Sequence, residues 1–254
     1  MVFQPSFFEL RIGSPTAKEP DPIPPPDIRT ENGIPVCLTG SVDRVDTYSD
    51  GSNVHVRVID YKTGKKDFRK EELSDGKFIQ MPLYLFSICE STNDNTRKRF
   101  GVPEGGSLLP AGFLYYHAKL TKETNKKSVS LEPPEQTAKK GFTRKGLLTN
   151  DPDILEAMEP GLGRCFIPVS KNNDGSLKKD STVTRDEGEF DEIRNTVHTV
   201  IRSTAEAILS GRANAEPKAY LREEDDPCRY CGLKPVCRKS TKKTGGNEGE
   251  NNDE

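Results

Sequence analysis

Apolar positions in this chain gather into short blocks separated by polar stretches. From Val36 to Tyr48 and from Val54 to Thr63 the chain is rich in Val and Ile, and these arms flank Ser49-Asp50-Gly51-Ser52-Asn53. An Asp-Gly pair between two such arms predicts a β-hairpin. Phe78, Met81, Leu85 and Ile88 then recur at helical spacing and predict a helix over 77–91, with Pro82 tolerated only in its first turn. The run Ala111–Ala118 reads as a buried strand. Phe190, Ile193, Val197, Ile201, Thr204 and Ile208 trace one face of a long helix over 189–210, which Gly211 should stop. Between these blocks, the prolines of 14–35 (Pro15, Pro20, Pro22 and Pro24-Pro25-Pro26) predict an extended loop, and 119–150 reads as a polar loop. Residues 240–254 contain no apolar side chain and are expected to be disordered.

Composition narrows the class. Hydrophobic residues are 32% of 254 and charged residues 31%, so a core forms but is thin. No apolar run approaches the roughly 18 residues of a membrane span, and no basic-then-apolar leader opens the chain. A cytoplasmic protein is expected. With a net charge of −2, any nucleic-acid contact must come from local patches. Across 119–145, eight Lys/Arg face three Asp/Glu; a solvated loop is the plainer reading, and a DNA-backbone surface including Lys139 and Lys140 the functional one.

The hairpin carries the chemistry. Asp60 ends the apolar strand VRVID, and Lys62 projects from the same face. A turn centred between Gly51 and Ser52 puts Asp43 directly across from Asp60, with Cβ atoms roughly 4.5–5.5 Å apart. The same register sets Asp46 against Arg57 on the other face, an ordinary ion pair. Opposed carboxylates repel unless a cation joins them, and Mg²⁺ prefers such oxygen ligands. The Lys62 ammonium would then stand beside a water and a phosphate, which supplies the parts of phosphodiester hydrolysis. An Asp-x-Lys alone is common on solvated strands. Gly40 before the first arm, and Gln80 and Tyr84 sharing a helix face, tip the balance toward function.

Gly40-Ser41-Val42-Asp43-Arg44-Val45-Asp46, Ile59-Asp60-Tyr61-Lys62-Thr63-Gly64 and Gln80-x3-Tyr84 resemble the motifs of the PD-(D/E)XK nuclease superfamily, in its RecB-like branch. Pro110–Tyr116, Lys145-Gly146-Leu147-Leu148 and the Cys228, Cys231, Cys237 cluster make the chain similar to the C-terminal nuclease regions of AddB-type subunits of bacterial AddAB (RexAB-type) helicase–nucleases. The resemblance implies a restriction-endonuclease-like α/β core, with a mixed central sheet flanked by helices, over residues 1–222. It implies an iron–sulfur segment at 223–239, and a magnesium-dependent exonuclease acting on single-stranded DNA in double-strand-break repair beside an AddA-type partner. By motif, Asp43, Asp60 and the Tyr61 carbonyl would hold the metal. Lys62 would be the catalytic lysine, with Gln80 and Tyr84 as supporting residues. Asp46 matches a family acid but is read as structural, and Glu9 is a weaker upstream match.

Three thiols in ten residues read as metal ligation rather than disulfides. The resemblance implies a [4Fe–4S] cluster whose fourth Cys lies far upstream, whereas Cys228, Cys231 and Cys237 are three; tetrahedral zinc and cubane sites want four. Cys165 is the least unlikely substitute, while Cys37, on the active-site strand, and Cys89 are expected as buried small hydrophobes. His55, His117 and His198 suggest no catalytic triad. No GxxxxGK[ST] loop is present, and the chain looks like a C-terminal piece of a larger subunit or a short relative. Two other readings compete: a catalytically idle DNA-binding or assembly module stabilised by an iron–sulfur cluster, and a zinc-ribbon regulator, which would need a second cysteine pair.

Overall fold

The computed structural model describes residues 2–16, 18, 20–64, 68–117, 144–178, 183–212, 214–217 and 226–237. The chain divides into two compact units after Ser203. The first is built on a six-stranded mixed sheet in sequence order: β1 (Gln4–Ile12), β2 (Gly40–Ser49), β3 (Val54–Lys62), β4 (Leu108–His117), β5 (Lys145–Thr149) and β6 (Thr184–Arg185). β3 runs parallel to β4 and β5 parallel to β6, and the other neighbours are antiparallel. The crossover from β3 to β4 carries α1 (Gln80–Cys89) and α2 (Asp94–Arg99); α3 (Pro152–Met158) follows β5, and α4 (Glu187–Leu209) follows β6. This is the expected mixed α/β architecture.

The hairpin turn works through its side chains. Asp50 Oδ1 accepts from the Ser52 and Asn53 amides at 2.8 and 2.7 Å, which tightens the connection. Pairs from Arg44↔Ile59 to Ser49↔Val54 then follow the predicted register. Every residue of β3 from Val54 to Asp60 is buried, because both faces are covered. Val54, Val56 and Val58 join the core formed with Met81, Leu85 and Ile88 of α1 and Phe190, Ile193, Val197 and Ile201 of α4. Ile59 joins the second core, with Leu114, Leu148, Leu155 and Met158. α3 starts cleanly because Asp151 accepts from the Asp153 and Ile154 amides and Pro152 needs no donor.

Several expectations need correcting. β1 was not anticipated: its sequence QPSFFELRI is mostly exposed and does not alternate. The first hairpin arm begins at Gly40 rather than Val36, so Cys37 lies outside β2 and is exposed instead of buried. The 77–91 helix shortens to Gln80–Cys89, because Phe78 takes a left-handed φ of 59° that helical backbone cannot adopt. Pro82 does fall in its first turn. Residues 145–149, read as loop, pair with β4. The long helix stops before Gly211, at φ 71°, but Ile208 on its predicted stripe is exposed. The 119–143 part of the basic stretch, with Lys139 and Lys140, and the 240–254 tail lie outside the described residues. No described helix is long and apolar enough to cross a membrane.

Candidate functional site

The acids converge where β3 ends. The β2–β3 ladder closes at Arg44↔Ile59, and one further step of that register sets Asp43 opposite Asp60. Asp43 reaches across the gap: its Oδ2 accepts the Tyr61 amide N–H at 2.9 Å. Asp60 is only 5% exposed. Its Oδ2 is buried without a hydrogen-bond partner, while the Lys62 Nζ lies 2.7 Å from it, an ion pair off the hydrogen-bonding direction. A buried carboxylate is costly unless charge offsets it, and here the offset comes from the same strand two residues on. Tyr115 is the register neighbour of Asp60 on β4. Burial first, and the Asp60 charge second, push its phenol well above the ordinary range, so it stays a neutral O–H. Sequence reasoning did not single out Tyr115; only the parallel β3–β4 register reveals it.

α1 supplies the other predicted pair. Gln80 opens the helix, and its Nε2 donates to the Tyr84 hydroxyl at 3.2 Å. The Tyr84 ring lies on the backbone of Gly40: a Cβ there would sit 2.7 Å from Cε1 and 2.8 Å from the hydroxyl oxygen. Only glycine permits that approach, three residues before Asp43. This accounts for Gly40 at the head of the motif strand.

Glu9 and Asp46 separate cleanly. The pairs Phe8↔Arg44 and Leu10↔Val42 place Glu9 across from Asp43 on β1. Glu9 has a left-handed φ of 49°, and its Oε2 accepts from the Ser41 hydroxyl at 3.2 Å. Glu9, Asp43 and Asp60 therefore occupy one row across three strands. Asp46 is turned away, as the register predicts. It is fully buried between Arg57, whose Nη2 is 2.6 Å from Oδ2, and Arg44, whose Nε is 2.6 Å from Oδ1. Burial holds the Arg57 guanidinium below its ordinary range despite Asp46. For Arg44, burial is outweighed by hydrogen bonds to Asp46 and Tyr61, which raise it.

The donor set suits one implied cofactor and not the other. Asp43 and Asp60 offer hard oxygens, and the uncommitted Asp60 Oδ2 is an acceptor that a small divalent cation such as Mg²⁺ would satisfy. No three His, Cys, Asp or Glu side chains among the described residues converge closely enough to hold an ion by themselves. That applies to Cys228, Cys231 and Cys237, all free thiols on the Asp226–Cys237 segment, where a short helix, α5 (Lys234–Cys237), carries the last of them. The donors present do not fit a [4Fe–4S] cluster, which wants four thiolates around one centre. Cys165 lies on another segment, with its amide bonded to Glu159.

The remaining candidates are structural. His55 pairs with Asp50 at 2.8 Å, and His198 lies 3.5 Å from Glu90. Cys89, packed against the first core, has its thiol pushed up by burial and then by Glu90.

Comparison with known proteins fits this geometry. The pattern of the PD-(D/E)XK nuclease superfamily matches residues 3–238. The chain is 30% identical over 226 residues to the B-type subunit of the ATP-dependent helicase/deoxyribonuclease of Clostridium acetobutylicum, covering 88% of this chain and 19% of that protein. It is 32% identical over 240 residues to the protein of the same name from Bacillus subtilis, covering 93% of this chain and 19% of the relative. For the Clostridium tetani relative the identity is 30% over 241 residues, with shares of 94% and 20%. The chain spans about a fifth of the length of these relatives.

Proposed function

This chain belongs to the PD-(D/E)XK nuclease superfamily, and from that premise we propose that it is a magnesium-dependent deoxyribonuclease domain hydrolysing single-stranded DNA within an AddB-like protein. Its partner would be an AddA-type helicase–nuclease, and its setting the processing of broken duplex ends in the cytoplasm. The names of the relatives support this wider role. The observation that carries the reading is the buried Asp60 carboxylate at the end of an apolar strand, with Lys62 at 2.7 Å and Asp43 opposite.

In this reading Asp43, Asp60 and the Tyr61 carbonyl would hold Mg²⁺. The ion supplies Lewis acidity, polarising a phosphoryl oxygen and making water a better nucleophile. The chain does the rest. The Tyr61 amide fixes the Asp43 carboxylate in place. The Lys62 ammonium, anchored on Asp60, stands ready to neutralise charge that grows on the phosphate. Gln80 and Tyr84, bonded to each other and packed on Gly40, form a polar wall that orients the lysine or the DNA backbone. The cysteine segment takes no part in this chemistry.

The test is cleavage of a labelled single-stranded oligonucleotide with Mg²⁺, comparing the wild type with Asp60→Ala. The expected loss is at least about 100-fold, the scale of removing one group that stabilises the transition state. Equal activity would end the proposal. DNA binding unaffected by EDTA, without cleavage, would favour the idle binding module.

A further inference from the structure

On the sheet face opposite Asp60, one side chain from each successive segment forms a continuous row that the hydrolytic site does not use. Phe8 of β1 pairs with Arg44 of β2, whose guanidinium lies 6.0 Å from the Phe8 ring centre. Arg44 bonds to Tyr61 of β3, and the Tyr61 ring lies 5.4 Å from that of its register partner Tyr116 on β4. Arg144, just before β5, stacks on Tyr116 at 4.5 Å and on Phe166 at 5.5 Å. The Arg144 amide also donates to the Phe166 carbonyl at 3.0 Å. Aromatic rings and guanidiniums thus run across neighbouring strands spaced about 4.8 Å apart, a span of roughly 20–25 Å.

Three of the four rings are open to solvent: Phe8 is 63% exposed, Tyr61 41% and Phe166 37%. Exposed aromatics on a sheet face are held here by stacked cations rather than buried in a core. The charge beneath them is positive. Arg57 feels one carboxylate, Asp46, and two further guanidiniums, Arg144 and Arg44. The Arg144 Nε is buried without a hydrogen-bond partner. Tyr61 stands between Asp60 and Lys62 in sequence, so the row begins where the candidate hydrolytic centre ends.

We infer that this row is a stacking platform for the bases of single-stranded DNA, continuous with the site that cleaves it. Flat rings with guanidiniums beneath them match a strand that offers both π-faces and phosphates, and a paired duplex, whose bases are already stacked inside, does not fit it. The inference rests on the nuclease reading above and names how that site would select unpaired strands.

The test is binding of two labelled oligonucleotides of equal length in EDTA, one carrying thymine bases and one abasic, to the full chain. Phe8→Ala and Phe166→Ala should each weaken binding of the base-bearing strand at least about 5-fold, the low end for losing one base–aromatic stack, and leave the abasic strand unchanged. Phe8→Trp and Phe166→Trp should keep wild-type binding. Unchanged binding in both alanine variants, or equal losses on both strands, overturns the platform. Because binding is read without metal, a chain that cleaves but shows no base-dependent loss removes the platform alone. A chain that shows the loss without cleaving keeps the platform and removes the nuclease reading.

Discussion

The Asp43 carboxylate accepts the amide N–H of Tyr61 at 2.9 Å, one step beyond the last β2–β3 ladder pair. A side chain here does what a strand carbonyl does elsewhere, and it aims an acid at the end of the neighbouring strand. The bond needs an oxygen acceptor but not a charge. Asp43→Asn keeps the acceptor and loses the anion, so its melting temperature should stay within a few degrees of wild type. Its Mg²⁺-dependent cleavage should fall by about 100-fold or more. Calorimetry and a cleavage assay on the same preparation check the two halves.

Gly40 and Tyr84 form a steric pair. Adding a methyl at Gly40 forces the Tyr84 ring away, and with it the hydroxyl that Gln80 holds. Gly40→Ala should lower cleavage by about 10-fold or more, on the scale set by small misplacements of positioning groups. In a Tyr84→Ala background the same glycine change should cost little more. Independent, multiplying losses would contradict this coupling.

Asp46 tests the register from the other side. It is buried with Arg57 at 2.6 Å, away from Asp60, so Asp46→Ala strands a buried guanidinium. The expected destabilisation is about 3–5 kcal/mol in denaturant unfolding. The fraction that remains folded should still cleave at a rate near wild type. Loss of cleavage without loss of stability would place Asp46 in the chemistry.

His198 predicts a pH dependence. Burial first, then Arg194 and Arg202, hold its imidazole below the ordinary 6.5, despite Glu90 at 3.5 Å. As pH falls through 6.5 the unfolded chain takes up a proton there before the folded chain does, so stability present above that pH is lost on acidification. Glu90, raised chiefly by burial, acts in the opposite sense at lower pH, since the folded state binds its proton more readily. His198→Gln should flatten the fall in melting temperature between roughly pH 7 and 5. An unchanged slope would rule His198 out as its source.

What the sequence makes legible follows physical locality. The hairpin register was readable because a short Asp-Gly turn fixes pairing for both arms, and the observed ladder from Arg44↔Ile59 onward keeps it. The α1 pair was readable because four residues make one helical turn. β1 was not, since an edge strand with few buried positions gives no alternation, and β5 was hidden inside a basic stretch. Cysteine spacing suggests ligation but says nothing of convergence, and the described thiols do not converge. The Phe8–Phe166 row draws its members from segments up to 158 positions apart, so only the folded sheet assembles it.

The central claim is that Asp43 and Asp60 share one divalent cation. Titration of Mg²⁺ into the full chain by calorimetry, with Asp60→Asn as the paired variant, addresses it without relying on cleavage. The account predicts a binding event in the wild type that disappears in Asp60→Asn over the same concentration range. Mg²⁺ binding of the same strength and stoichiometry in both would contradict it.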